Sequence, residues 1–320
     1  MKWREFLLSV IVVAAVMTPT LGQDVAPAAG AASTSARSIA SIPDFSGTWA
    51  HPFLNGLEPP LSGPGPVTNR VRRTGPQAGV SSISQLVGDY TNPILRPWAA
   101  EVVKKLGESS LAGKDYPTPR NQCWPEQVPF VFINYGMHLL QQLDRITILY
   151  PFDHQFRQVR LNQPHPVHVT PSWYGDSVGH YEGDTLVIDT VGIKVGPFSM
   201  IDWYGTPFTE ALHLVERYQL LDYESTIKAI EWAAKEHFQN DNPYNGPAVD
   251  PNYKGKGLQI QLIVVDEGAF TVPWSAAVTF RRSSEEWQER VCAENVQHDY
   301  QNNYFSDKDA HLPTADKPDF

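Results

Sequence analysis

Cysteine is nearly absent from this chain of 320 residues, which holds only Cys123 and Cys292. Two cysteines cannot complete a thiolate zinc site, and no CxxC pair occurs. An even count suits an oxidising compartment, so the two are expected to form one disulfide tying the start of the core to its C-terminal end. Several catalytic signatures are missing as well. There is no GxSxG elbow, no phosphate-binding P-loop, no HExxH, and no GxGxxG after a strand. Asp307-Lys-Asp309 lacks the other residues of a calcium loop. Positive charge is short too: 25 Lys and Arg face 35 Asp and Glu, a formal net charge of −10. That balance argues against nucleic acid and against anionic lipid as partners. Arg70, Arg72 and Arg73 come nearest to a basic patch, in a Gly- and Pro-rich stretch that reads as a solvated loop.

Long apolar runs are also scarce, and the one present lies at the N-terminus. Lys2 and Arg4 precede an apolar run from Phe6 to Met17, and Thr18, Pro19, Thr20 and Gly22 follow. A basic start, a short apolar core and a small-residue exit make a secretory signal peptide, residues 1–22, with cleavage expected before Gln23. The run is short for a bilayer span, which needs about 20 residues. The expected destination is the periplasm or the medium, with no membrane insertion after cleavage. Residues 23–43 are rich in Ala, Ser, Gly and Pro and read as a disordered linker. A single β-rich domain is expected over 44–300, followed by a polar tail at 301–320.

Within that domain, prolines from Pro52 to Pro125 repeatedly forbid regular structure. One helix is expected there, Pro97 to Leu106, stopped by Gly107. From Val128 the pattern becomes that of strands. Runs rich in branched and aromatic residues cover Val128 to Asn134, His138 to Asp144, Arg145 to Phe152, Phe156 to Leu161, Val178 to Tyr181 and Thr185 to Val191. Leu212 to Leu220, Leu258 to Asp266 and Trp274 to Arg282 continue the series. A helix, Glu224 to Phe238, interrupts it, with Ile227, Ile230, Ala234 and Phe238 at helical spacing. Strands outnumber helices and no βα alternation exists. The pattern predicts a mostly-β fold: an antiparallel barrel with long N-terminal loops and a helical insert, or a sandwich of the same strands.

Ten histidines and nine tryptophans are many for this length. The densest stretch, His165 to Thr190, gathers His165, His168, Trp173, Tyr174, Asp176 and His180. Imidazole beside carboxylate is a workable acid/base pair near neutral pH. His180 is the leading candidate for the base: it shares a strand face with Val178, and if that face is the interior, Asp176 suits as its partner. Asp189, at a strand end, reads as a turn cap, and Glu182-Gly183-Asp184 as a hairpin turn. His165 and His168 resemble a metal pair, but no third ligand is visible and no metal is expected. A second cluster supplies His213, Glu216 and Arg217, with Glu216 and Arg217 on opposite strand faces.

Three stretches carry a resemblance. Pro171 to Thr190, which reads PSWYGDSVGHYEGDTLVIDT, Asn92 to Trp98, and Glu210 to Tyr218 resemble a family of secreted bacterial proteins of unknown function. The resemblance spans most of 44–300 and implies export and a shared site, but no known activity. The stretch from Glu224 to Lys256 departs from it as an insert. Phe45 to Trp49 is similar to the Gly-x-Trp signature that opens lipocalin-like barrels.

Two functions follow as expectations. One is a cofactor-independent enzyme of isomerase, dehydratase or cyclase type, a lyase or isomerase acting on a small, partly apolar substrate. Its catalytic set is His180, Asp176, Tyr174, Glu216 and His213, with Trp173, His165, His168 and Arg217 binding substrate. The other is a periplasmic carrier of a hydrophobic small molecule.

Overall fold

Alternation of apolar and polar residues, the period of a pleated strand, is the rule that builds this molecule. The computed structural model describes residues 42–51, 54–82, 84–114, 116–133, 136–151, 155–238, 249–283 and 291. The expected signal peptide, most of the expected linker, Cys292 and the polar tail lie outside the described residues. The strands are β1 (Gly47–Ala50), β2 (Leu54–Asn55), β3 (Met137–Gln141), β4 (Arg145–Leu149), β5 (Phe156–Leu161) and β6 (Asp176–Glu182). They continue with β7 (Thr185–Val191), β8 (His213–Leu221), β9 (His237–Phe238), β10 (Gly257–Val265) and β11 (Trp274–Arg282). Two α-helices accompany them, α1 (Pro97–Leu111) and α2 (Tyr223–Trp232).

Nine strands close a barrel in the order β1-β11-β10-β8-β7-β6-β5-β4-β3, with β3 returning to β1. Closure leaves no unpaired sheet edge. The expected barrel is therefore found, with one correction: it is mixed, not wholly antiparallel. β5 and β6 run parallel, pairing Val159 with Ser177 and Leu161 with Gly179. A parallel pair cannot be joined by a tight hairpin. Segment 162–175 supplies the long crossover, and it runs outside the barrel. The small β2–β9 sheet stands apart.

Inward positions fill the barrel. Trp49, Met137, Tyr150, Tyr218 and Phe280 are among the largest fully buried side chains, beside Leu139, Ile148, Ile188, Leu258 and Ile260. The N-terminal loops wrap the outside. Glu58 exchanges two backbone hydrogen bonds with Ala277 of β11, and its carboxylate accepts from the Thr279 N–H and hydroxyl.

Three local expectations change. Helix α1 runs past Gly107 to Leu111, because Gly107 is a packing glycine: a Cβ there would meet Val87 at 3.0 Å. Val128 to Asn134 is no strand. Its described part contains a 3₁₀ turn, Phe130–Ile133, whose four side chains are all buried. Pro129 has no N–H to give a ladder, and Val131 N–H instead reaches the Gln127 carbonyl. The insert helix ends at Trp232 and passes through a 3₁₀ turn, Ala233–Glu236, into β9.

Candidate functional site

Strand parity decides which titratable side chains face out. On β5 through β8, Arg157, Ser177, Thr190 and Glu216 point into the barrel and are buried. Arg160, Asp176, Asp189 and His213 alternate with these inward positions and point out. The crossover 162–175 lays His165 across this outer face.

The outer residues form a continuous chain of hydrogen bonds. Arg160 donates to both oxygens of Asp176, at 2.7 and 3.0 Å. His165 Nδ1 lies 2.6 Å from Asp176 Oδ1, and its Nε2 lies 2.9 Å from Asp189 Oδ1. His213 Nε2 donates to the two Asp189 oxygens at 2.9 and 3.0 Å. Both ring nitrogens of His165 face carboxylates, so the ring bridges Asp176 and Asp189.

The electrostatics follow from these contacts. The Arg160 hydrogen bonds hold the Asp176 carboxyl below its ordinary range, against some desolvation. Burial pushes Asp189 up, but the hydrogen bonds from His213 and His165 outweigh it and hold the group low. The bond to Asp189 raises His213 above the usual histidine value, partly offset by burial. His213 is 41% exposed, and no described residue hydrogen-bonds its Nδ1. With Nε2 anchored on Asp189, Nδ1 is the ring nitrogen left to take or give a proton.

Apolar side chains share the outward row. Asp189 stands opposite Val178 on β6 and Val215 on β8, and Val215 stands opposite Ile263 on β10. Ile263 is an exposed large apolar residue.

The barrel interior holds a second polar group. Arg157 donates to both oxygens of Glu216, at 2.7 and 3.0 Å, and to Ser177 and Thr190. Tyr218 donates its hydroxyl to Glu216 at 2.9 Å. Both charged side chains are essentially unexposed, at 1% and 0%.

Of the nine expected site residues, the structure brings together Asp176, His165 and His213. His180 is the main correction. Its face is the exterior, it pairs with Glu182 at 3.1 Å, and Asp176 is occupied by Arg160 and His165 instead. Glu216 belongs to the buried pair and cannot meet a substrate on the outer face. Tyr174 donates to Gln155 at 2.6 Å and stacks on Tyr150. Trp173 packs edge-on against Trp124 under the Lys194 ammonium. Arg217 is outward and bound to Glu182 at 2.8 Å, and His168 is exposed. Among the described residues no group of three or more His, Cys, Asp and Glu is arranged to hold a metal.

Two members of the chain were missed in the sequence, Asp189 and Arg160. Asp189 caps no turn; it lies within β7. The hairpin at Glu182–Thr185 places it opposite Val178 and so on the face of Asp176, a register that counting back from Gly183 recovers.

No family model, curated protein or solved structure matches this chain. The resemblance to secreted proteins therefore lends no residue a role, and the site rests on its own geometry.

Proposed function

We propose that this protein is an exported, cofactor-independent enzyme that performs acid/base chemistry on a small, partly apolar substrate. The observation that carries the reading is His213, partly exposed and anchored by Asp189, which itself stands in the outward row of Val178, Val215 and Ile263. In the neutral ring Nε2–H donates to Asp189, so Nδ1 holds the lone pair. Nδ1 takes a proton from an acidic position of the substrate. The imidazolium so formed is stabilised by Asp189 and returns the proton at a second position, or to a leaving hydroxyl. The first outcome is an isomerisation and the second a dehydration. Asp189 is a positioning residue, and His165, Asp176 and Arg160 fix it in turn. The hydrogen bond to Asp189 raises the His213 proton affinity and so stabilises the imidazolium that forms when the ring acts as base.

The export half of the reading rests on Lys2, Arg4 and the run Phe6 to Met17. No helix among the described residues is long and apolar enough to cross a membrane. A carrier of hydrophobic molecules is less favoured, because the barrel interior is occupied by fully buried side chains such as Tyr150, Tyr218 and Phe280.

The test is solvent isotope incorporation. Protein incubated in D2O with a small-molecule extract is expected to add deuterium to at least one compound, read by mass spectrometry. Identical spectra with and without protein, across extracts of varied polarity, overturn the reading.

A further inference from the structure

Strand β11 meets β1 at its C-terminal end, where Trp49 pairs with Arg282 and Ala50 with Arg281. Further back, the same edge of β11 is covered by segment 58–64 of the N-terminal loops. Glu58 exchanges backbone hydrogen bonds with Ala277, both at 2.9 Å, and the Pro64 carbonyl accepts from the Ser275 N–H at 3.1 Å. Pro59, Pro60 and Pro64 have no N–H, so the segment has little else to give the ladder. Leu61 to Pro64 are exposed, and the Trp232 indole donates to the Pro59 carbonyl at 3.3 Å.

Between the Ala277 and Arg281 pairings, the Glu58 side chain stands in for a missing strand residue. Its Oε1 accepts from the Thr279 N–H at 3.2 Å, and its Oε2 from the Thr279 hydroxyl at 3.2 Å. The carbonyl of Thr279 lies 3.2 Å from His51 Nδ1, whose ring packs on Phe280. Two side chains from the loops thus cover both backbone groups of one β11 residue.

Glu58 is 2% exposed, and both donors to its carboxyl come from the neutral Thr279. The other groups around it bring no compensating charge. Gln259 of β10 donates to the Thr279 hydroxyl at 3.2 Å and is neutral. Arg281 donates to the carbonyls of Asp250 and Tyr253, and Glu236, whose carbonyl accepts from the Gly56 N–H, is paired with Arg72. Burial pushes His51 down to about 4, against its hydrogen bonds to Phe132 and Thr279, so the ring is neutral near pH 7. A protonated Glu58 fits this setting. An ionised one has lost its water and gained no cation.

We infer that segment 58–64 is a pH-released strap, held on β11 while Glu58 carries its proton and freed from Ser275, Ala277 and Thr279 when the carboxyl ionises. Release leaves those N–H groups unpaired and opens an edge in an otherwise closed barrel. Burial raises the Glu58 carboxyl from 4.5 to about 7, which places the change close to neutral pH. The attached strap holds a proton that the freed strap has released, so attachment weakens as pH rises from about 4.5 through 7. The strap shares no residue with the His213–Asp189 pair, so either reading can fail without the other.

The test is amide hydrogen exchange of the full chain, followed by NMR and normalised to the intrinsic rate at each pH. Between about pH 5 and about pH 8, protection of the Ala277 and Thr279 amides is expected to fall about 10- to 100-fold. Protected amides of the β7–β8 ladder serve as the reference and are expected to hold theirs. Glu58→Gln keeps the hydrogen-bonding shape without the charge, and is expected to keep Ala277 and Thr279 as protected at the higher pH as at the lower. Unchanged protection of these two amides in wild type overturns the inference. So does a parallel fall in the β7–β8 ladder, which marks general loosening, or an equal fall in Glu58→Gln, which assigns the effect to another group. Should Glu58→Gln not fold by circular dichroism, the contrast between β11 and the β7–β8 ladder in wild type decides.

Discussion

His213 Nε2 lies within 3.0 Å of both carboxylate oxygens of Asp189. The two residues sit on neighbouring strands, and the outward parity of each strand brings them together. Asp189 raises the His213 proton affinity through the hydrogen bond, while burial works against it.

Titration of the His213 ring by NMR is expected to give a value above 6.5, the ordinary one. Asp189→Asn is expected to lower it, because the amide carries no charge. The sign for stability follows. A histidine whose folded value is raised contributes stability fully below its unfolded value, and that contribution fades as pH rises through the folded value. The wild type is therefore expected to lose more stability than Asp189→Asn between about pH 6 and the raised value. Equal ring values in the two proteins contradict the coupling.

Arg157 and Glu216 make a different kind of pair, fully buried and saturated with partners. Glu216→Ala strands a guanidinium inside the barrel and is expected to cost about 3–5 kcal/mol in chemical denaturation. Replacing both by apolar residues of similar volume, Arg157→Met with Glu216→Leu, is expected to cost much less. A double variant as unstable as the single one contradicts the assignment.

Glu58, in the N-terminal loops, is buried against β11, which pushes its carboxyl up from 4.5 to about 7 despite the hydrogen bonds from Thr279. The folded state therefore holds this proton over a range where the unfolded chain has released it. Stability is lost as pH rises from about 4.5 through 7. Glu58→Gln keeps the shape without the charge and is expected to stabilise the protein at pH 8 by about 1–3 kcal/mol. A variant less stable than wild type at pH 8 goes against this reading of the burial.

Cys123 is bonded and not a free thiol, and it sits at a backbone φ of 53°. Cys292 lies outside the described residues, so the expected pairing of the two is open to direct test. Thiol titration of the unfolded, unreduced protein is expected to find no free thiol. Two free thiols rule the pairing out.

Much of the fold was legible because strands write their period into the chain. Phe156–Leu161, Thr185–Val191 and Trp274–Arg282 have the expected bounds, and the Gly183 turn sits at a φ of 60° where a hairpin needs it. The parallel pairing of β5 with β6 was not legible, since it depends on where segment 162–175 travels, and no local pattern encodes that path. The site shows the same division. Strand alternation alone places Asp176 and His180 on one face, but whether that face is inside depends on closure of the barrel. Sequence proximity favoured the His180–Asp176 pair, whereas the crossover brings His165 to Asp176 and the β7–β8 ladder brings His213 to Asp189. Glu216 reads as a member of the catalytic set for the same reason: a carboxylate on a strand reads alike whether it faces water or a buried arginine.

The most direct test of the account is the dependence of catalysis on His213. Once the D2O screen has identified a compound that gains deuterium, the rate of incorporation is measured for wild type, His213→Gln and His180→Ala. Loss of a general base is expected to slow exchange about 10²–10⁴-fold in His213→Gln, with the fold intact by circular dichroism. His180→Ala removes an exposed contact with Glu182 and is expected to exchange at the wild-type rate. Wild-type exchange in His213→Gln contradicts the account, and a comparable loss in His180→Ala alone returns the base to the strand position that sequence proximity favoured.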